Sequence, residues 1–376
     1  MHLILLLMSL LRLHYCRGKS PVTLHLGISI SQQLKPLNLY IKRDDQLQGV
    51  VNGNKGRKFI DLMQLLNARD ELHVISYGGT QSNSMGAIAK LVSNINKEHK
   101  KNHTFTYYTK KLSEIVRKSM NEESNFNSAI NMFQMQHIEV AEEKYGEIAE
   151  LVNKKGLFSE IEDNKIYVPI GGYGLTSRKG CQSLARELAD DIADIKTNEV
   201  LTVTHLLTHS PNHLLTHSQD SIKKVLVLFA CGTGTTAFYT TNELNKLTSK
   251  DRVMAVPCVG DGEYLQKQME SLPLPGSDQR QYPLIIDHVG KSKPFGSVNK
   301  YHYNLWSSLQ AQLQLQLDLL YFPKCMDTFI AYLESDAGQT LYNEILTNQV
   351  ALLYYHCGGV EGNASQLRRY KHANIL

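Results

Sequence analysis

The chain has 376 residues, with 40 Lys+Arg against 36 Asp+Glu and a formal charge of +4. Its 42% hydrophobic content can build a large core, which excludes disorder along the whole chain, and the length suggests two domains of ordinary size. So small a positive excess leaves no electrostatic footprint for nucleic acid.

Six cysteines (Cys16, Cys181, Cys231, Cys258, Cys325 and Cys357) lie far apart with no C-x-x-C pair. Neither a zinc ribbon nor a redox dithiol is indicated, and the scatter fits a reducing, cytoplasmic compartment. Leu3 to Leu11 is an apolar run broken only by Ser9, and no acidic residue precedes Asp44. The run is too short to span a bilayer, which takes about 20 apolar residues. Residues 1–20 therefore read as a leader, mitochondrial if it is a cleaved presequence, or as an added strand or frayed tail. A secretory signal is disfavoured by the cysteine usage.

In chain order, Leu39 to Arg43 reads as a strand ending in Asp44-Asp45. Phe59, Leu62, Met63 and Leu66 follow the i, i+3, i+4, i+7 stripe of a helix. His73 to Tyr77 is a strand, and Gly78-Gly79 turns it into a helix carrying Ala87, Ile88 and Leu91. Phe105 to Tyr108 is a third strand. Asn121 to Lys155 is polar and helical, a scaffold without a candidate catalytic residue. Ile166 to Ile170 reads as a strand that leads through Gly171-Gly172 into a helix from about Leu184 to Ile195. Val225 to Phe229 is an apolar run suited to a central parallel strand, and Val253 to Val256 and Ala351 to Tyr355 repeat the theme. Such alternation predicts α/β architecture with mostly parallel sheets.

Residues 205–218 read HLLTHSPNHLLTHS. A helix would stack His205, His209, His213 and His217 on one face, where a metal is conceivable. Pro211 interrupts that helix, so a surface loop is the preferred reading and no metal site is assigned.

Four patches can carry chemistry, each at a strand end or a helix start, where α/β proteins place ligands. In Asn52 to Lys58 (NGNKGRK), Lys55, Arg57 and Lys58 crowd one turn. Crowding lowers a lysine pKa and makes it a nucleophile for carbonyls; the alternative is a solvated basic turn. In Gly78 to Asn83 (GGTQSN), backbone N–H groups can hold an anion, and Ser82 can relay a proton or simply cap a helix. Cys231 to Thr236 (CGTGTT) reads as a phosphate cradle, but no Walker lysine follows and it is not G-x-G-x-x-G. His356 to Gly362 (HCGGVEG) reads as a further loop on the same rim.

Together with KRDD, which ends the strand at Asp45, and LDLLYFPK, these motifs resemble the pyridoxal-phosphate family of D-cysteine desulfhydrase and 1-aminocyclopropane-1-carboxylate deaminase. The resemblance runs from about Pro21 to Tyr370. It implies a tryptophan-synthase-β-like fold of two open three-layer α/β/α domains. Residues 21–66 and 166–376 would form a large cofactor-binding domain with a His-rich insert near 197–220, and residues 67–165 a small domain that closes over substrate. It implies that Lys55 holds pyridoxal 5'-phosphate as a Schiff base, with Lys58 near the phosphate and Asn83 at the phenolic oxygen. Gly232, Thr233, Gly234, Thr235 and Thr236 match the phosphate cup. Gln81, Ser82 and Asn83 match the substrate-carboxylate loop, and Tyr321 an active-site tyrosine.

Two positions depart from the family. Phe295 stands where a second tyrosine is usual, and Phe322 where Glu or Thr often meets the pyridine nitrogen. Losing both polar groups disfavours a long-lived carbanion and favours β-elimination of a good leaving group. The expected function is thus a lyase acting on a small amino acid, D-cysteine first, giving pyruvate, hydrogen sulfide and ammonia. The alternatives are aminocyclopropane-carboxylate deamination, to 2-oxobutyrate and ammonia, and a non-catalytic cofactor binder. A nucleotide-binding protein is the weaker rival. The expected partners are the amino acid and a second copy of the chain, with no membrane.

Overall fold

The computed structural model describes residues 19–118, 124–157, 161–197, 222–276, 279–288 and 293–376. The histidine repeat and the apolar run at Leu3 to Leu11 lie outside them.

Two sheets organise the molecule. The first has six strands: β1 (Val22–Ile28), β2 (Leu37–Arg43), β8 (Lys224–Cys231), β9 (Arg252–Pro257), β10 (Leu284–Ile285) and β11 (Val350–His356). Their order is β1-β2-β11-β8-β9-β10, parallel except for the β1–β2 pair. The second has β3 (His73–Tyr77), β4 (Thr104–Lys110), β5 (Gln136–Val140), β6 (Ile161–Glu162) and β7 (Lys165–Tyr167). Its order is β5-β4-β3-β7-β6, antiparallel only at β6–β7.

Each sheet is a middle layer, and strand alternation sorts its residues between two cores. Leu39, Ile41, Leu226, Leu228, Leu352 and Tyr354 pack on one side of the first sheet with the Phe322–Glu334 and Lys300–Leu313 helices. Tyr40, Val225, Val227, Phe229, Leu353 and Tyr355 face the other way, against the Arg178–Thr197 and Thr235–Leu247 helices. In the second sheet, Val74 and Phe105 meet the Asn83–His99 helix, while Ile75 and Tyr77 meet Val152 of the Glu142–Leu157 helix. The expected α/β/α layering with mostly parallel sheets is therefore present.

Three local readings change. The strand expected over Ile166 to Ile170 stops at Tyr167, and a 3₁₀ turn follows at Ile170–Gly172. Pro169 has no N–H to extend the ladder. The polar segment Asn121 to Lys155 is not wholly helical, because it contains β5. The third is β1, which no hydrophobic run announced.

Candidate active site

The four motif loops leave from the C-terminal ends of parallel strands, three in the first sheet and one in the second. β2 leads towards the Gly53–Lys58 helix, β8 into the Gly232 to Thr236 loop, β11 into Cys357-Gly-Gly, and β3 into Gly78 to Asn83.

Lys55 and Lys58 converge on one acceptor. Lys55 Nζ lies 3.4 Å and Lys58 Nζ 3.0 Å from the Gly171 carbonyl oxygen. Burial lowers the Lys55 pKa from the ordinary lysine value. Burial, and then the Lys55 charge, bring Lys58 to about 7. The expected weakening of the amines is present, but its first cause is loss of water rather than crowding. Arg57, expected to join the crowd, turns away into a buried ion network. Its Nε and Nη2 donate to Asp44 at 2.5 and 2.7 Å, and its Nη1 and Nη2 donate to Glu187, each at 2.8 Å. Asp44 also accepts from Ser20 and from the Tyr355 hydroxyl, both at 2.5 Å. Lys42 Nζ joins Glu187 at 3.2 Å and Asp191 at 2.8 Å. Burial opposes the Asp44 charge, but Arg57, Ser20 and Tyr355 outweigh it and hold the carboxyl below its usual pKa.

Gly53 needs its glycine. Its φ is +64°, and a Cβ there would stand 2.3 Å from the Cys357 carbonyl oxygen. The Asn54 N–H donates to that same oxygen at 3.0 Å, so the lysine turn is pinned to the loop after β11. That loop also reaches Asn83: a Cβ on Gly359 would lie 2.6 Å from Asn83 Nδ2. Asn125 Nδ2 donates to Asn83 Oδ1 at 2.8 Å, so a residue of the presumed scaffold orients this amide. Ser82 is the cap of the Asn83–His99 helix, accepting from the Met85 N–H at 3.2 Å, and the Tyr107 hydroxyl donates to the Gly79 carbonyl of the same loop at 3.1 Å.

The glycine-threonine loop opens the Thr235–Leu247 helix. Gly234 takes a left-handed cap conformation, φ +68°, with no side chain capping the first turn. First-turn N–H groups without an intrahelical partner suit an anion. Thr233 and Thr235 share a hydroxyl hydrogen bond of 2.8 Å, and Thr235 and Thr236 are buried. A Cβ built on Gly171 would sit 3.5 Å from the Thr233 methyl, so this loop borders the carbonyl that both lysines share. Across it, a Cβ on Gly232 would lie 3.4 Å from the Tyr321 hydroxyl oxygen. Phe295, which is exposed, lies 4.8 Å from the Tyr321 ring, centroid to centroid. Tyr321 is fixed by its N–H, which donates to Asp318 Oδ1 at 2.6 Å, and burial raises its pKa and keeps the hydroxyl protonated.

Phe322 is not part of this lining. It is fully buried and meets Tyr354 edge-on at 5.2 Å. The five described cysteines are free thiols. Burial pushes Cys181 up to about 11 and Cys231 and Cys357 up to about 12. Among the described residues no group of three His, Cys, Asp or Glu side chains could hold a metal ion, and no helix is long and apolar enough to cross a membrane.

Sequence reasoning missed Glu187 and Asn125 as supports of the site and misread Arg57 as one of the crowded cations. KRDD and LDLLYFPK contain Asp44 and Asp318 but did not reveal their roles.

The whole-chain architecture has solved counterparts. It superposes on an ACC deaminase homologue with a TM-score of 0.58, at 16% identity over 98% of each chain. It has the tryptophan-synthase-β-like fold expected from its sequence. The processed form of threonine deaminase isoform 2 from Solanum lycopersicum matches at 0.51 and 14% identity, over 96% of this chain and 89% of that one. Cysteine synthase (OASS) from Entamoeba histolytica matches at 0.51 and 10% identity, over 95% and 88%. At such identities the likeness is one of fold. No family model and no curated protein sequence matches the chain.

Proposed function

We propose that the chain is a pyridoxal-phosphate-dependent lyase or deaminase of small amino acids, with D-cysteine desulfhydration as its leading activity. The observation that carries this reading is the convergence of a half-buried, weakened lysine and a threonine-lined helix start on the Gly171 carbonyl. The donor set suits the cofactor: Lys55 for its aldehyde, and Thr233, Thr235, Thr236 and the Gly234 turn, with Lys58, for its phosphate. The fold shared with an ACC deaminase homologue and threonine deaminase supports it too.

When bound, pyridoxal phosphate supplies an aldehyde that bonds an amino group and a ring that withdraws electrons from Cα. The chain's residues would do the rest. The Gly78 to Asn83 loop receives the α-carboxylate. Lys55 Nζ, its pKa lowered by desolvation, takes the Cα proton. The Tyr321 hydroxyl, held protonated by burial, would be available for proton transfer. Phe295 beside Tyr321 supplies a stacking face and no proton. The site thus suits a leaving group that departs without help, such as a thiolate. With water added, D-cysteine gives pyruvate, hydrogen sulfide and ammonia.

Deamination of 1-aminocyclopropane-1-carboxylate is the second reading, favoured by the ACC deaminase homologue among the structural counterparts. Purified protein loaded with pyridoxal phosphate should form 2-oxo acid fastest from D-cysteine in a panel with L-cysteine, D-serine and aminocyclopropane carboxylate. A faster rate on the cyclopropane substrate would move the assignment to the deaminase. No 2-oxo acid from any of the four would leave a cofactor binder without this chemistry.

A further inference from the structure

We propose that Arg369 is a positioning residue that aims the Gln81 amide at the substrate carboxylate; this rests on the function proposed above. Arg369 lies on the C-terminal Asn363–His372 helix, 288 residues from Gln81. Its Nη1 lies within hydrogen-bond distance of three oxygens, so its two N–H bonds are shared among them: Gly296 O at 2.6 Å, Gln366 Oε1 at 2.9 Å and Gln81 Oε1 at 3.3 Å. A guanidinium only donates, so the face of the Gln81 amide turned towards it must be the oxygen. The Nε2 donors are thereby directed away from Arg369, and no group among the described residues bonds them. Gln81 immediately precedes the Ser82 cap, where a helix start also favours an anion. A carboxylate there meets an amide already oriented as a donor.

The same guanidinium fixes the facing wall. Gly296 follows Phe295, whose ring lies against Tyr321. The Gly296 carbonyl also accepts from the buried Gln366 at 3.3 Å. Arg369 therefore joins the loop after β3 to the turn bearing Phe295. Its deletion should loosen carboxylate recognition while leaving the lysine and the phosphate loop as they are.

The test compares ligands with and without a carboxylate. Glycine and methylamine are titrated into pyridoxal-phosphate-loaded protein and followed by the change in the visible band. Glycine is achiral, so the unknown stereochemical preference does not enter. In Arg369→Met, glycine should bind at least about tenfold more weakly. Methylamine affinity and cofactor loading should match the wild type. Gln81→Leu should show the same pattern, and the double variant should be no worse than either single one, because both remove one interaction. Arg369→Lys, which keeps a donor, should recover part of the loss. Unchanged glycine binding in Arg369→Met, or equal weakening of glycine and methylamine, would overturn the positioning role while the cofactor assignment stood. Wild-type protein that takes up no pyridoxal phosphate would overturn both.

Discussion

Replacing Lys55 with alanine should abolish the visible absorbance of the pyridoxal-phosphate-loaded protein and its amino-acid turnover. Two functions are lost at once, the covalent attachment and the base at Cα. Loss of the base alone corresponds to roughly 10²–10⁴ in rate. Lys58→Ala is the informative companion. Lys58 lies closer to the Gly171 carbonyl and has a pKa of about 7, so a weakened amine by itself does not single out Lys55. With Lys58 assigned to the phosphate, its removal should weaken cofactor affinity yet preserve the absorbance once the cofactor saturates. A Lys55→Ala protein that retained the absorbance, with Lys58→Ala losing it, would exchange the two roles.

The second large effect concerns stability. Arg57→Met should destabilise the fold by about 3–5 kcal/mol, the usual consequence of stripping one partner from a buried ion pair. Asp44 is wholly buried and Arg57 nearly so, so water cannot replace the lost bonds. Asp44 has a depressed pKa in the folded wild type, so its contribution is present above the unfolded pKa of about 3.9 and is lost as pH falls through the folded value. Without Arg57, burial acts on an orphaned carboxylate and raises the folded pKa instead. Protonation then favours the folded variant, and the deficit against wild type should shrink as pH falls from 7 towards 4. Thermal melts of both proteins across that range give the comparison, and a deficit independent of pH would mean that packing rather than charge dominates. The variant should also lose cofactor affinity, because Arg57 ties the helix bearing Lys55 to Asp44 and to Glu187 on the Arg178–Thr197 helix.

What could be read from sequence follows the physics of each element. β8 announces itself because both faces are covered, leaving a continuous apolar run. β1 does not, because its buried positions include Thr23 and His25, which satisfy each other through a 2.9 Å side-chain hydrogen bond. β5 is a polar edge strand in a segment otherwise helical in pattern. The loops are legible through glycine and threonine, whose backbone and hydroxyl requirements are local. The ion network is not, because Arg57 and Glu187 are 130 residues apart, and sequence spacing places Arg57 with its neighbouring lysines rather than with a distant carboxylate. Phe322 shows the opposite failure: a neighbour of Tyr321 in sequence, it belongs to the core and not to the lining. A residue just inside a helix points where the helix sends it, and spacing from a motif does not reveal that direction.

Borohydride reduction of the cofactor-loaded protein, followed by peptide mapping, tests the central assignment most directly. The label should reside on Lys55 alone. A label on Lys58, or no labelled peptide, would contradict it.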